Sequence, residues 1–132
     1  MYKTVSIIGG DLRLVNLINL LAKDDFLVYT YGLENAEELV ERENVKKCAS
    51  IAELVGSSEI IIGPVPMTND SVNLSAPFSE EKISIEELIT EMSNKNKMFL
   101  AGKLSDKTIQ SLQEGNITYI DLLKREELVV LN

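Results

Sequence analysis

The chain has 132 residues, 45% of them hydrophobic, with a net charge of −8 and no histidine. This length suits a single domain over residues 1–132, which buries about two thirds of its unfolded surface without a disulfide or metal staple. The acidity disfavours nucleic acid and membrane surfaces as partners, and the lack of imidazole excludes Ser–His and Cys–His nucleophile pairs and the usual zinc sites.

The chain opens with a strand, a glycine turn and a helix. Residues 4–8 are a nearly continuous run of apolar β-branched side chains, which is typical of a central parallel strand buried on both faces. Gly9 and Gly10 break this strand, and Asp11 is placed to cap a helix over residues 12–23. Ligands of α/β sheets bind at turns of this kind, so this turn is the first candidate site.

The next segments continue the alternation of strands and helices. Phe26 to Tyr31 is rich in aromatic and β-branched residues and predicts a second strand, which Gly32 ends. Serine or asparagine three residues before glutamate predicts helices near residues 36–43 and 51–56, with a brief strand possible at 45–49 between them. Residues 59–63 predict a clearer strand that stops at the Gly63-Pro64-Val65-Pro66 run.

The second half is irregular at first and then resumes the same pattern. Residues 67–70 predict a turn and 71–78 a small hairpin. Ser84 predicts the start of a helix, residues 97–101 a strand, and Ser105 the start of a helix that Gly115 ends. A last parallel strand is expected at 117–120, followed by a helical turn near 122–126 and an extended stretch at 128–131.

This alternation predicts a doubly wound α/β fold, with a mainly parallel five-stranded sheet in the flavodoxin-like order 2-1-3-4-5. Ligands of such sheets bind beyond the carboxyl ends of the strands, where the winding changes direction. Three loops meet at that edge, namely residues 9–13, 63–68 and 101–103.

The first loop fails the test for a dinucleotide site. The fingerprint needs glycines at its first, third and sixth places, but counting from Gly9 puts Asp11 third and Leu14 sixth. Asp11 would also place negative charge where a phosphate would bind. A phosphate-receiver domain fits no better, because Asp11 is the only carboxylate of the cluster that such chemistry needs. We therefore expect neither a nucleotide cofactor nor a metal in this domain.

Arg13 has two readings. Its guanidinium, two residues beyond the cap, can bind a carboxylate through paired hydrogen bonds, together with the N–H groups of the loop. Alternatively, Asp11 is only a cap and Arg13 only a solvated charge on the helix. Position alone does not separate these readings.

Cys48 has no partner in the chain, which fits a reducing compartment and a small buried side chain. We find no apolar run of membrane-spanning length and no basic-then-apolar leader. The expected location is the cytoplasm.

An ordered series of short motifs resembles a known family. The series comprises Ile7-Ile8-Gly9-Gly10-Asp11-x-Arg13, Ile62-Gly63-Pro64-Val65, Phe78-Ser79, Ala101-Gly102 and the closing Leu122-Leu123-Lys124-Arg125-Glu126-Glu127-Leu128-Val129-Val130-Leu131-Asn132. It covers essentially the whole chain and is similar to the N-terminal domain of the dipicolinate synthase A subunit of spore-forming bacteria. Gly-Gly-Asp-x-Arg is the most specific of these motifs.

The resemblance implies a substrate-side domain, similar to the catalytic domain of 2-hydroxy-acid dehydrogenases. In that family a second domain binds NADP, and the protein works with a flavoprotein-like B subunit to oxidise a dihydrodipicolinate-type substrate to dipicolinate during sporulation. The implied location is the cytoplasm of the mother cell. The chain ends at Asn132, before the NADP domain of the family, so we expect it to be inactive alone.

A dianionic pyridine dicarboxylate needs donors around it. We expect substrate contacts from the residues of the three loops, which are Gly9, Gly10, Asp11, Arg13, Pro64, Val65, Gly102 and Lys103. Alternatively, Gly102 is only a turn glycine, and Pro64 and Pro66 only end a strand. The catalytic acid or base is not predicted, and a homo-oligomer stays open.

Two functions of different class remain. The first is half of an NADP-dependent dehydrogenase. The second is a flavodoxin-like binding or interaction module without catalysis, whose acidic surface meets a protein partner.

Overall fold

The computed structural model describes residues 3–123, which form a six-stranded sheet and four helices. The strands are β1 (Thr4–Ile8), β2 (Leu27–Tyr31), β3 (Val45–Lys47), β4 (Ile60–Ile62), β5 (Met98–Ala101) and β6 (Thr118–Asp121). The helices are α1 (Leu12–Lys23), α2 (Ile51–Gly56), α3 (Ile85–Met92) and α4 (Asp106–Glu114).

The sheet is parallel throughout, in the order β3-β2-β1-β4-β5-β6. The doubly wound α/β fold is therefore confirmed, whereas the expected count of five strands is wrong by one. The extra strand is β3, a three-residue edge strand in which Val45 pairs with Val28 and Lys47 with Thr30. Without β3, the order is the predicted 2-1-3-4-5.

Two hydrophobic clusters lie on opposite sides of the sheet. The larger one contains Ile61 and Phe99 of the strands together with buried residues of α2, α3 and α4. The smaller one joins α1 to Val5, Ile7 and Val28. Cys48 packs at the margin of the larger cluster and is only partly buried, and this burial, with the charge of Glu53, raises the pKa of its thiol.

Four predicted helix starts are confirmed by their capping hydrogen bonds. Asp11 accepts from the Arg13 amide, Ser50 from Glu53, Ser84 from Glu87 and Ser105 from Thr108. At Ser50 the glutamate also reaches back, because the Glu53 carboxylate accepts from the Ala49 amide at 3.1 Å. These starts were predictable because each cap lies within three residues of its amide.

The helix expected over residues 36–43 is wrong, since the chain forms consecutive turns there. The Asn35 amide donates to the Phe78 carbonyl at 2.9 Å. Farther along, the Asn19 side chain of α1 accepts from the Val40 amide at 3.1 Å and donates to the Glu38 carbonyl at 3.0 Å. These tertiary contacts take the backbone groups that a helix would have used.

Residues 67–83 cover the carboxyl edge of the sheet near β1. The turn predicted at 67–70 is a bend in which the Thr68 hydroxyl accepts from the Asp70 amide at 3.2 Å. Just after it, the Asp70 carboxylate accepts from the amides of Val72 at 2.9 Å and Asn73 at 2.7 Å. The hairpin predicted at 71–78 is absent from this described segment, which forms only single bridges at Thr68–Leu74 and Asn73–Ser84. The predicted extended stretch at 128–131, and most of the turn at 122–126, lie outside the described residues.

Candidate functional site

Gly9 and Gly10 follow β1 with φ angles of +64° and +90°, a region that side chains rarely adopt. The Gly9 amide donates to the Tyr31 carbonyl and the Gly10 amide to the Ser75 carbonyl, both at 2.8 Å. The chain itself thus uses both donors that we expected to meet a carboxylate. This corrects the role foreseen for these two N–H groups, because in this structure the glycines fasten the turn to β2 and to residues 67–83.

Asp11 and Arg13 form the polar centre of the turn. The Arg13 Nε atom lies 3.2 and 3.3 Å from the two carboxylate oxygens of Asp11, and Nη2 lies 3.1 Å from one of them. Nη2 also donates to the Val65 carbonyl. Both side chains are substantially exposed, at 67% for Arg13 and 45% for Asp11.

The ion pair shifts the pKa values of both Asp11 and Arg13. The hydrogen bond from Arg13 lowers the pKa of the Asp11 carboxyl, and the same bond raises the pKa of Arg13. Asp11 therefore stays ionised at neutral pH and fixes two nitrogens of the guanidinium. Because the third nitrogen, Nη1, makes no hydrogen bond within the described residues, the exposed cation can still bind an anion.

The loops after β4 and β5 are joined to each other. The Gly102 amide donates to the Pro64 carbonyl at 3.1 Å, and the Gly102 carbonyl accepts from the Met67 amide at 2.7 Å. A Cβ atom on Gly102 would lie 2.4 Å from Cγ1 of Val65, so only glycine fits. Since the Val65 carbonyl also binds Arg13, the three predicted loops form one connected edge.

Lys103 lies at the far end of this edge. Its backbone has a φ of +60°, and its amide donates to the Asp121 carboxylate at 3.0 Å, as the Leu104 amide does at 2.9 Å. The exposed Lys103 side chain is a further cation at the carboxyl edge, in the loop after β5. The sequence analysis missed Asp121 at the edge of the site, because the Lys103 and Leu104 amides that it binds are 18 and 17 residues away.

A shallow cavity of about 400 Å³ opens beside Asp11. Its other lining residues come from the covering segment and are mostly polar: Asn69, Asp70, Asn73, Leu74, Ser75, Ala76, Pro77, Ser79, Glu80, Glu81 and Lys82. The sequence analysis did not predict that these residues line a cavity. The turn signal at Asp70 was the only structural feature of this segment that it predicted correctly.

The first turn does not fit the pyrophosphate of a dinucleotide. Its two glycine amides are used within the chain, and the Asp11 carboxylate occupies the start of α1. A Cβ atom on Gly10 would lie 2.2 Å from Cδ1 of Leu14, which shows how closely the helix packs against the turn. No step of the chemistry is therefore assigned to a nucleotide held here.

Two other kinds of feature are absent from residues 3–123. These residues contain no cluster of three or more potential metal-binding side chains. None of their helices has the length and hydrophobicity needed to cross a bilayer.

The sheet order and the loops at its carboxyl edge define a Rossmann-like α/β domain. The chain belongs to the family of the N-terminal domain of the dipicolinate synthase A subunit, whose model matches residues 4–123. This confirms the resemblance that the sequence motifs indicated. No curated protein matches the chain.

Solved structures share the fold. The dipicolinate synthase A chain from Bacillus subtilis has 20% identity and a TM-score of 0.77, over 98% of this chain and 43% of that one. The corresponding dipicolinate synthase protein from Bacillus halodurans has 23% identity and a TM-score of 0.75, over 95% and 42%. The chain thus spans about two fifths of these relatives.

A more distant similarity reaches another class of enzyme. An NADPH-dependent glyoxylate/hydroxypyruvate reductase from Sinorhizobium meliloti, in complex with NADP and sulfate, has 18% identity and a TM-score of 0.52. The match covers 87% of this chain and 36% of that one. At such identities these likenesses establish the fold.

Proposed function

We propose that this chain forms the substrate side of a dehydrogenase cleft, as the N-terminal domain of the dehydrogenase subunit of dipicolinate synthase. In this role it contributes to the oxidation of a dihydrodipicolinate-type substrate to dipicolinate in sporulation. Family membership supports the assignment, and so does the position of the three connected loops at the carboxyl edge of the sheet.

The observation that carries the proposal is the fixed but exposed guanidinium of Arg13. Asp11 and the Val65 carbonyl hold Nε and Nη2, so the side chain is oriented before any ligand arrives. An oriented arginine binds a carboxylate more tightly than a mobile one, because less side-chain entropy is lost. Arg13 therefore takes one carboxylate of the dicarboxylate substrate.

The neighbouring loops supply the rest of the substrate contacts. Val65 packs on Gly102 and is partly exposed beside Arg13, whereas Gly102 and Pro64 are themselves buried. The exposed part of Val65 suits one face of a pyridine ring, and Gly102 and Pro64 support it from behind. Lys103 supplies a second exposed cation for the other carboxylate, while Gly9 and Gly10 shape the turn.

The nicotinamide cofactor belongs to another part of the protein. We propose that NADP binds a further domain, since the first turn of this chain does not accept a pyrophosphate. The distant reductase relative is described in complex with NADP, which supports a nucleotide cofactor for proteins of this architecture. This chain alone is then inactive, and its residues bind and orient the substrate.

The protein also has an expected partner and an expected location in the cell. We propose a flavoprotein-like B subunit as the partner and the mother-cell cytoplasm as the location, because both accompany the family's role in sporulation. A homo-oligomer is compatible with the same scheme. Co-purification of the chain with the B subunit from sporulating cells tests the partner.

The substrate role is tested by ligand-dependent melting of the 132-residue chain. Dipicolinate should raise the melting temperature of the unaltered chain, and Arg13→Ala should weaken dipicolinate binding by about 10-fold or more, as expected for one lost charge-assisted contact. Lys107→Ala, which removes an exposed cation on α4, is the matched control and should bind as the unaltered chain does.

Picolinate, which has one carboxylate, serves as the control ligand and should bind more weakly than dipicolinate. Equal stabilisation of the unaltered chain and Arg13→Ala by dipicolinate would remove Arg13 from the site.

A further inference from the structure

A second cavity, of about 590 Å³, opens beside the edge strand β3, and we call it the β3 cavity. No residue of the three loops of the candidate site lines it. Part of its wall is apolar and is formed by Ala36, Leu39 and Val45, which also pack against the smaller cluster. The cavity therefore combines an apolar wall with the charged residues that surround β3.

The segment that carries these residues is held in place before and after Arg42. The Asn19 side chain of α1 accepts from the Val40 amide at 3.1 Å. The Asn44 side chain donates to a carbonyl of α1 at 2.8 Å and to one just before β2 at 2.9 Å. Between these two anchors, the Arg42 carbonyl accepts from the Val45 amide at 3.1 Å. The backbone of Arg42 is thus fixed at the cavity wall.

The Arg42 side chain lacks the partners that such a group normally has. It is only partly exposed, and its Nε atom is shielded from solvent without any hydrogen-bond acceptor in residues 3–123. Glu37 and Glu41 line the same cavity, but neither forms an ion pair with Arg42. A buried donor on a charged group is costly when it is left unpaired. The guanidinium is therefore suited to an anion from outside the described part of the chain.

Lys47 supplies a second cation at the same cavity. It follows Val45 by two residues in β3, so both side chains point to the same face of the sheet. Lys46 also borders the cavity, but as the intervening residue it points to the other face. Both lysines are exposed, and neither forms an ion pair within the described residues.

We propose that the β3 cavity binds the phosphate group of a small molecule, held by Arg42 and Lys47. A guanidinium binds two phosphate oxygens at once, and a lysine ammonium contacts a third as a point charge. Glu37 and Glu41 weaken the positive potential, so the anion has to contact both cations to bind well. The apolar wall then contacts the rest of the ligand. The site does not depend on the dicarboxylate site at Arg13.

An NMR titration of the full 132-residue chain with phenyl phosphate tests the proposal. The Arg42 Nε–Hε signal and the Lys47 amide should shift together, with one dissociation constant. Inorganic phosphate should shift the same signals at higher concentrations, because it has no apolar part. Benzoate has the same ring but a single negative charge and should bind more weakly than phenyl phosphate. Arg42→Gln should weaken phenyl phosphate binding by about 10-fold or more, as expected for a lost charge-assisted contact.

Lys46→Gln is the matched control for Lys47→Gln, since each removes one lysine charge from β3, on opposite faces of the strand. Lys47→Gln should weaken binding by about 10-fold, whereas Lys46→Gln should change it by less than about 3-fold. Equal weakening by the two variants would overturn the proposal, because the ligand would then respond only to the general charge of the strand. So would phenyl phosphate shifts confined to the Arg13 signals, or an unshifted Arg42 signal.

Discussion

The Asp11 side chain makes two different interactions with Arg13, one with its backbone amide and one with its guanidinium. One carboxylate oxygen accepts from the Arg13 amide at 3.0 Å and so caps α1, while both oxygens bind the Arg13 side chain. The cap satisfies a free amide of the first helical turn, and the ion pair orients the guanidinium. The cap needs only an oxygen acceptor, whereas the ion pair needs a negative charge, so substitutions can separate the two interactions.

We expect Asp11→Ala to lower the free energy of unfolding by about 1 kcal/mol, because the cap is lost. Asp11→Asn should keep the cap and lose only the exposed ion pair, so its loss should be the smaller of the two. Urea unfolding at neutral pH measures both changes. Equal losses in the two variants would show that the cap contributes nothing.

The same pair sets a pH dependence with a definite sign. The pKa of Asp11 is lowered from 3.8 in the folded state, so the ion pair stabilises the fold above that pH. The contribution is lost as the pH falls through the folded-state pKa, below about 4. The stability advantage of the unaltered chain over Asp11→Asn should therefore shrink in acid.

The local part of this site could be predicted, and the tertiary part could not. The cap at Asp11 follows from neighbouring residues, and so does the position of Arg13 on the first turn of α1. The acceptors of the Gly9 and Gly10 amides are Tyr31 and Ser75, which come from other parts of the chain. No spacing in the sequence indicates those two hydrogen bonds.

In residues 33–44, too, tertiary hydrogen bonds that the local sequence does not indicate determine the structure. Asn35 and Glu38 have the spacing of a capping box, yet the chain there follows turns fixed by Asn19 and Phe78. By contrast, the boxes at Ser50 and Ser84 precede apolar residues that pack into the larger cluster, and helices form. At residues 36–43 the capping signal was overridden by tertiary hydrogen bonds, although Ala36 and Leu39 pack against the smaller cluster.

We expect Asn19→Ala to release the turns at residues 38–40, because one side chain makes both of their contacts with α1. The free energy of unfolding should fall by about 1 kcal/mol more than in Asn16→Ala. Asn16 is the matched control, since it is exposed on the same helix and changes helix propensity equally.

Hydrogen exchange of the Val40 amide reports this contact directly. Exchange should become faster in Asn19→Ala and stay unchanged in Asn16→Ala. Unchanged exchange in both variants would mean that the Val40 amide has another acceptor in solution.

At the scale of the whole molecule, the winding of the sheet brings the candidate site together. Loops that are more than 50 residues apart, such as those of Arg13 and Val65, meet because β1 and β4 are neighbours. The alternation of strands and helices was enough to predict this meeting. It gave β3 only as a possible brief strand at 45–49 and left it out of the five-strand count, because a three-residue edge strand carries little pattern.

The chain spans about two fifths of the length of the dipicolinate synthase chains that it matches. The proposed contribution of this domain is the oriented guanidinium of Arg13 beside the partly exposed Val65, at the carboxyl edge of the sheet. The substrate role therefore depends on where a dicarboxylate binds.

A crystal structure of the 132-residue chain with dipicolinate tests that claim most directly. We predict one carboxylate within hydrogen-bonding distance of the Arg13 guanidinium and the ring beside Val65. A parallel soak with NADP should leave residues 9–13 free of phosphate. Dipicolinate bound away from Arg13, or phosphates of NADP at residues 9–13, would contradict the account.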